Sequence, residues 1–172
     1  NRITRGILRS PNLDHTLAVT AAEVRAFLQV DRVKIYRFHG NGDGQVVAEA
    51  IHEQRLPSLL GLNFPADDIP PEARKLFVQA RMRSIVNVAA RQIGQGFAVH
   101  PETGAPLDES IRFRPLEPCH EEYLKAMGVQ SSLVLPILHE GGLWGLLVAH
   151  HAQPWSTDLG VLEGLQMVVD QV

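Results

Sequence analysis

The chain has 172 residues, 45% hydrophobic and 20% charged, with a formal net charge of −3. That length and composition predict one globular domain. The slight acidity excludes a nucleic-acid footprint, no apolar run reaches the ~20 residues a membrane-spanning helix needs, and a single cysteine excludes an internal disulfide scaffold and fits a reducing, cytoplasmic compartment.

The first residues, Asn1-Arg2-Ile3-Thr4-Arg5, have no apolar core or cleavage site, so they are no signal peptide. They also lack an initiator methionine, so the chain is expected to be an excised piece of something longer. Ile3, Ile7 and Leu8 have helical spacing, and Ser10-Pro11-Asn12 breaks it. A second helix is predicted from Leu13 to Val30, with Leu17, Val24, Phe27 and Leu28 on one side. Arg32 to Phe38 alternates polar and apolar residues and predicts a half-buried strand. The turn His39 to Gly44 leads into a second strand, Gln45 to Ile51, closing a hairpin.

Residues 57–71 read as irregular. Pro70-Pro71 then opens a helix that runs to about Arg81. Ser84 to Ala90 is a predicted strand, Gly94 to Pro106 a loop, and Ile111 to Pro115 an extended segment, since residues before proline avoid the helical region. Glu121 to Met127 is helical and stops at Gly128. Strands are predicted at Ser131 to His139 and Leu143 to His150, around a tight turn at Glu140-Gly141-Gly142, and a last helix from Leu159 to Val172. Runs of strands with helices to the side predict an α+β fold, a central antiparallel sheet with helices on its faces.

Four groups of residues could carry chemistry. Cys119-His120 is either a buried structural cysteine beside a surface histidine or a thiolate stabilised by an imidazolium and the start of the following helix. The second reading would make Cys119 a nucleophile or an attachment point. His139, His150 and His151 cluster late in the chain, but adjacent strand residues point to opposite faces, and neither C-x-x-C nor H-E-x-x-H is present; no metal site is expected. Asp67-Asp68 before Ile69-Pro70 is either a helix N-cap or a carboxylate facing a ligand. Among the arginines, Arg83 sits at a helix-to-strand junction and Arg114 lies five residues before Cys119, and two arginines near a thiol could clamp ligand carboxylates in bidentate fashion. Otherwise they are solvated surface.

Set in order, these blocks carry a resemblance. Pro118-Cys119-His120-Glu121-Glu122-Tyr123-Leu124-Lys125-Ala126-Met127-Gly128-Val129 and Leu143-Trp144-Gly145-Leu146-Leu147-Val148-Ala149-His150-His151 closely resemble the bilin-binding GAF domain of phytochromes and cyanobacteriochromes. So do Arg32 to Phe38 and Phe64-Pro65-Ala66-Asp67-Asp68-Ile69-Pro70-Pro71-Glu72-Ala73-Arg74. Together they cover about residues 31–155. The resemblance implies a GAF domain over 1–172, with 1–30 as an N-terminal helical segment and 156–172 as a C-terminal helix leading to an output module outside the chain.

The same resemblance implies a linear tetrapyrrole, phycocyanobilin, held by a thioether to Cys119. It implies that His120 packs against the pyrrole rings and Asp68 contacts the pyrrole nitrogens or ring D surroundings. Arg83 and Arg114 would bind the propionates. Tyr36 would lie near ring D, His150 would approach the ring D carbonyl, and Tyr123 would form pocket wall. Light would isomerise the double bond between rings C and D. The lack of a second cysteine excludes a second thiol adduct, and the Asp-Ile-Pro block looks like the green/red and far-red lineage. The chain carries no kinase or cyclase residues, so it is expected to be no enzyme, with output in a C-terminal effector and a possible homodimer through the terminal helices. Two other readings are a GAF domain binding a non-bilin ligand such as a cyclic nucleotide, and a cysteine-dependent enzyme lacking an identifiable orienting group.

Overall fold

Helical spacing puts Leu13, Leu17, Ala21, Val24 and Leu28 along one stripe, and the computed structural model forms α1 (Asn12–Leu28) with all five buried. Phe27, expected on the same stripe, is 67% exposed, because one residue turns a helix by more than a quarter of a circle. The structure describes residues 12–40, 42–53, 56, 58–64, 71–79, 83–96, 103, 112–116, 118–153 and 159–170. The helix expected before Ser10 lies outside them.

After α1 come β1 (Arg32–Phe38), β2 (Gly44–Ile51), β3 (Asn63–Phe64), α2 (Pro71–Gln79), β4 (Arg83–Asn87), β5 (Gln92–Gly96), β6 (Arg112–Pro115), α3 (Pro118–Ala126), β7 (Ser131–His139), β8 (Gly142–His151) and α4 (Leu159–Val169). The strands form one sheet in the order β3-β2-β1-β8-β7-β4-β5-β6, with antiparallel pairing throughout. This is the predicted α+β architecture.

One face of the sheet is a closed apolar core. Val33, Ile35, Ala48, Ile85, Leu133, Leu135, Ile137, Leu147 and Ala149 pack there against the α1 stripe and against Leu165 and Val169 of α4. Two close approaches hold the strands in place. A Cβ on Gly145 would fall 2.2 Å from the Tyr36 carbonyl oxygen, so only glycine lets β1 and β8 meet there. The β7–β8 hairpin turns through Glu140 and Gly141, both with positive φ (51° and 79°), the conformation a two-residue hairpin loop demands.

Three expectations are corrected. Part of the predicted Gly94–Pro106 loop is β5, a strand paired on both sides with β4 and β6. The strand predicted to Ala90 ends at Asn87, where the chain turns and the Ala90 amide donates to the Asn87 side chain at 3.1 Å. Finally, α3 begins at Pro118, not Glu121; proline suits a first helical turn, where its missing N–H has no partner to lose. Cys119 therefore lies within that turn.

Candidate functional site

Successive side chains of a strand take opposite faces. With Val33 and Ile35 in the closed core, Arg32, Lys34 and Tyr36 of β1 share the other face. The polar residues of this alternation are not in water, as a half-buried strand would have them: Arg32 is 0% exposed and Lys34 7%. The reason is topological. Strand β1 lies between β2 and β8 in the middle of the sheet, and both of its faces are covered.

The register extends this face sideways. Arg32 is opposite His150, His150 opposite Ser132, Ser132 opposite Val86, Val86 opposite Ile93, and Ile93 opposite position 114 of β6. A second row runs from Glu49 through Lys34 and Val148 to Val134 and Ser84. Arg32, Lys34, His150, Ser132 and Ser84 are all buried, so a polar strip crosses the sheet.

Two apolar clusters flank the strip. On one side Phe77 of α2 packs with Tyr36, Val46, Leu146 and Val148. The Tyr36 ring lies so close to β2 that a Cβ on Gly44 would fall 1.8 Å from it, and it meets Phe38 edge-on at 5.2 Å. Arg74 of α2 ties this end together: its guanidinium stacks on Phe38 at 4.3 Å and donates to the Gly42 carbonyl. On the other side Leu124 of α3 packs with Val86, Val88, Ile93, Leu116 and Val129.

The strip is electrostatically unusual. Burial holds the Lys34 ammonium down to about 8 from an ordinary 10.5, with the Arg32 charge acting in the same direction and Glu49 opposing it. Burial lowers Arg32 as well, against the charges of Glu49 and Tyr123. Glu49 is itself held in place, accepting from Ser58 Oγ at 2.6 Å and from the Leu59 amide at 2.8 Å. One Arg32 nitrogen approaches His150 Nδ1 at 2.5 Å.

Helix α3 carries the thiol. Cys119 is exposed. Tyr123, 46% exposed, lies four residues on and so on the same side of the helix. Its phenol lies within electrostatic reach of Arg32, and the neighbouring Leu124 packs against Val86 and Ile93, so α3 covers this part of the sheet. Glu121 anchors the helix, accepting from Arg91 Nε at 3.1 Å and pairing with Lys125 Nζ at 2.8 Å. Gly128, at φ 75°, ends it, with the Val129 amide reaching back to the Leu124 carbonyl at 2.9 Å.

The structure thus brings Tyr36 and His150 together on one face and sets Cys119 and Tyr123 on a flanking helix. It places the backbone of His120 in α3, of Arg83 at the start of β4 and of Arg114 in β6; their side chains, and Asp68 altogether, lie outside the described residues. His151 does not join the strip: its Nδ1 lies 3.3 Å from Asp31, which also accepts from the Ala152 amide at 2.9 Å. Among the described residues no group of three or more potential ligands could hold a metal ion, and no helix is long and apolar enough to cross a membrane. Arg32, Lys34 and Glu49 were not singled out from sequence. The signal that could have found them is the long apolar run of β8, a strand buried on both faces whose neighbours must be central too.

The profile of the GAF domain family matches residues 12–172. Among solved structures, the phycoerythrobilin-bound GAF domain of a cyanobacterial phytochrome is 56% identical with a TM-score of 0.89, covering 99% of this chain and 88% of its own. The phycocyanobilin-bound GAF domain of a cyanobacterial phytochrome is 54% identical with a TM-score of 0.83, covering 99% and 87%. A bacteriophytochrome of Xanthomonas campestris pv. campestris (strain 8004) is 38% identical over 157 residues, which make up 91% of this chain and 25% of that protein. The chain thus spans about a quarter of that relative's length.

Proposed function

The chain belongs to the GAF domain family, and we propose that it is a photosensory domain whose ligand is a linear tetrapyrrole. The observation that carries this reading is the buried polar strip between two apolar clusters, beside the helix whose first turn holds an exposed thiol. A bilin is a long conjugated chain of rings with carbonyls, N–H groups and two carboxylates. It fits a site that is apolar at both ends and rich in donors along the middle. The bilins bound by the two similar GAF structures support the same ligand class.

In this reading the ligand is phycocyanobilin and Cys119 is its tether. Cys119 Sγ would hold it as a thioether by addition of the S–H across a double bond of the ring A side chain, an addition that needs no leaving group. The bound tetrapyrrole would supply light absorption and isomerisation between rings C and D. The protein's residues orient it. Tyr36 and His150 bound the ring D end, Tyr123 and His120 wall the α3 side, Arg83 and Arg114 take the propionates, and Asp68 accepts from pyrrole N–H groups and favours their protonated form. The colour pair is green/red or red/far-red, as the Asp-Ile-Pro block suggests. Output runs to an effector outside the chain. The exposed Phe27 of α1 and Met167 and Val168 of α4 are the surface for a homodimer.

The test is attachment. The chain is co-produced with the enzymes of phycocyanobilin synthesis, denatured, and inspected for zinc-enhanced fluorescence on the protein band. A fluorescent band is expected, lost in Cys119→Ala. A colourless native chain would overturn the bilin reading, and a band that persists in the variant would overturn the tether.

A further inference from the structure

Arg32 and His150 face each other across the β1–β8 ladder. Both are buried, at 0% and 3% exposure, and a guanidinium nitrogen lies 2.5 Å from the imidazole Nδ1. The guanidinium carries only N–H donors and no acceptor. The imidazole can complete this contact in one way, by offering the lone pair of Nδ1. A neutral ring with a bare Nδ1 carries its proton on Nε2.

The surroundings hold that state. A second proton on His150 would have to sit on Nδ1, setting N–H against N–H. It would also add a positive charge beside Arg32 and Lys34 on β1. The other groups bearing on this corner are Glu49 from β2 and Tyr123 from α3, while His151 and Asp31, paired with each other, lie next in sequence to His150 and Arg32. Among the described residues Glu49 is the one carboxylate whose charge acts on both cations.

We propose that Arg32 is a positioning residue of the site: it locks His150 as the neutral Nε2–H tautomer.

Nitrogen NMR of the chain labelled with 15N-histidine tests the tautomer without any chromophore, the His150 resonances being assigned by their loss in His150→Gln. The wild-type chain should show a bare Nδ1 and a protonated Nε2, unchanged between about pH 6 and about pH 8, where an ordinary imidazole titrates. Arg32→Met should release the ring, giving mixed tautomers or a titration in that interval, and Arg32→Lys, which keeps a donor, should restore the wild-type pattern. A proton on Nδ1 in the wild-type chain, or an unaltered His150 spectrum in Arg32→Met, would overturn the proposal. The wild-type spectrum decides by itself if Arg32→Met does not fold.

Discussion

The two faces of the sheet are built from alternate residues of the same strands, yet they differ in kind. Towards α1 and α4, β1 offers Val33 and Ile35, β7 offers Leu133, Leu135 and Ile137, and β8 offers Leu147 and Ala149. Towards α2 and α3 the same strands offer Arg32, Lys34, Ser132 and His150, all equally buried. Burying hydrocarbon stabilises a fold by roughly 25 cal/mol per Å². Burying ammonium and guanidinium groups opposes folding unless partners compensate. The closed face therefore supplies stability, and the polar face draws on it to hold charges where a ligand can meet them.

The largest expected effect breaks the closed face alone. Leu147 is fully buried in that core, so Leu147→Ala should destabilise the chain by about 2–5 kcal/mol through lost transfer energy and a residual cavity. Urea denaturation measures it. The bilin spectrum of the fraction that folds should be unchanged, because Leu147 points away from the strip. A changed spectrum at unchanged stability would show that the two faces are not separate.

This division was only partly legible in the sequence. The ends of α1, β1, β7 and β8 follow from periodicity to within about two residues, because each element has one consistently apolar stripe or run. Strand β5 did not, since Gln92-Ile93-Gly94-Gln95-Gly96 has one large apolar residue and owes its form to the partners on either side. In the site, Cys119 stood out as a lone thiol beside a histidine, whereas its ligand and the roles of Tyr36, Tyr123 and His150 came from resemblance to a family. Arg32 and Lys34 were hidden by their own pattern. Arg-Val-Lys-Ile-Tyr alternates as a strand with one wet face does, and only the neighbours of β1 in the finished sheet make that face an interior.

A middle-sized effect of opposite sign is expected on the polar face. Folded Lys34 gives up its proton near pH 8, while in the unfolded chain it holds it to 10.5. Between those values the unfolded chain binds more protons, so the stability contributed by this group rises with pH: it is present in full above 10.5 and gone below about 8. The difference corresponds to a burden of about 3 kcal/mol at neutral pH. Lys34→Met should raise stability at pH 7 by up to that amount. It should also remove the rise between about 8 and 10.5 seen when denaturation midpoints of the two chains are subtracted. Lower stability of the methionine chain at pH 7 would show that the ammonium is fully compensated, and the contrast between the faces would fall with it.

The smallest effect concerns the helix that bears the thiol. The hydrogen bond from Lys125, and after it that from Arg91, hold the Glu121 carboxyl below its ordinary value, against partial burial. A carboxylate lowered in this way stabilises the folded chain above the usual carboxylate range, and the contribution disappears as pH falls through its folded value. Glu121→Gln should leave the neutral-pH denaturation midpoint nearly unchanged, since the glutamine can still accept from Arg91 and Lys125, whose own side chains are exposed, and should flatten the acid limb of the midpoint–pH curve. The rate of bilin attachment separates anchoring from mere stability. Arg91 reaches α3 from the β4–β5 turn through Glu121, two residues after Cys119, so the glutamine chain should attach bilin more slowly at neutral pH while remaining as folded as the parent. An unaltered attachment rate would confine Glu121 to stability and leave the thiol placed by the Leu124 and Val129 packing alone.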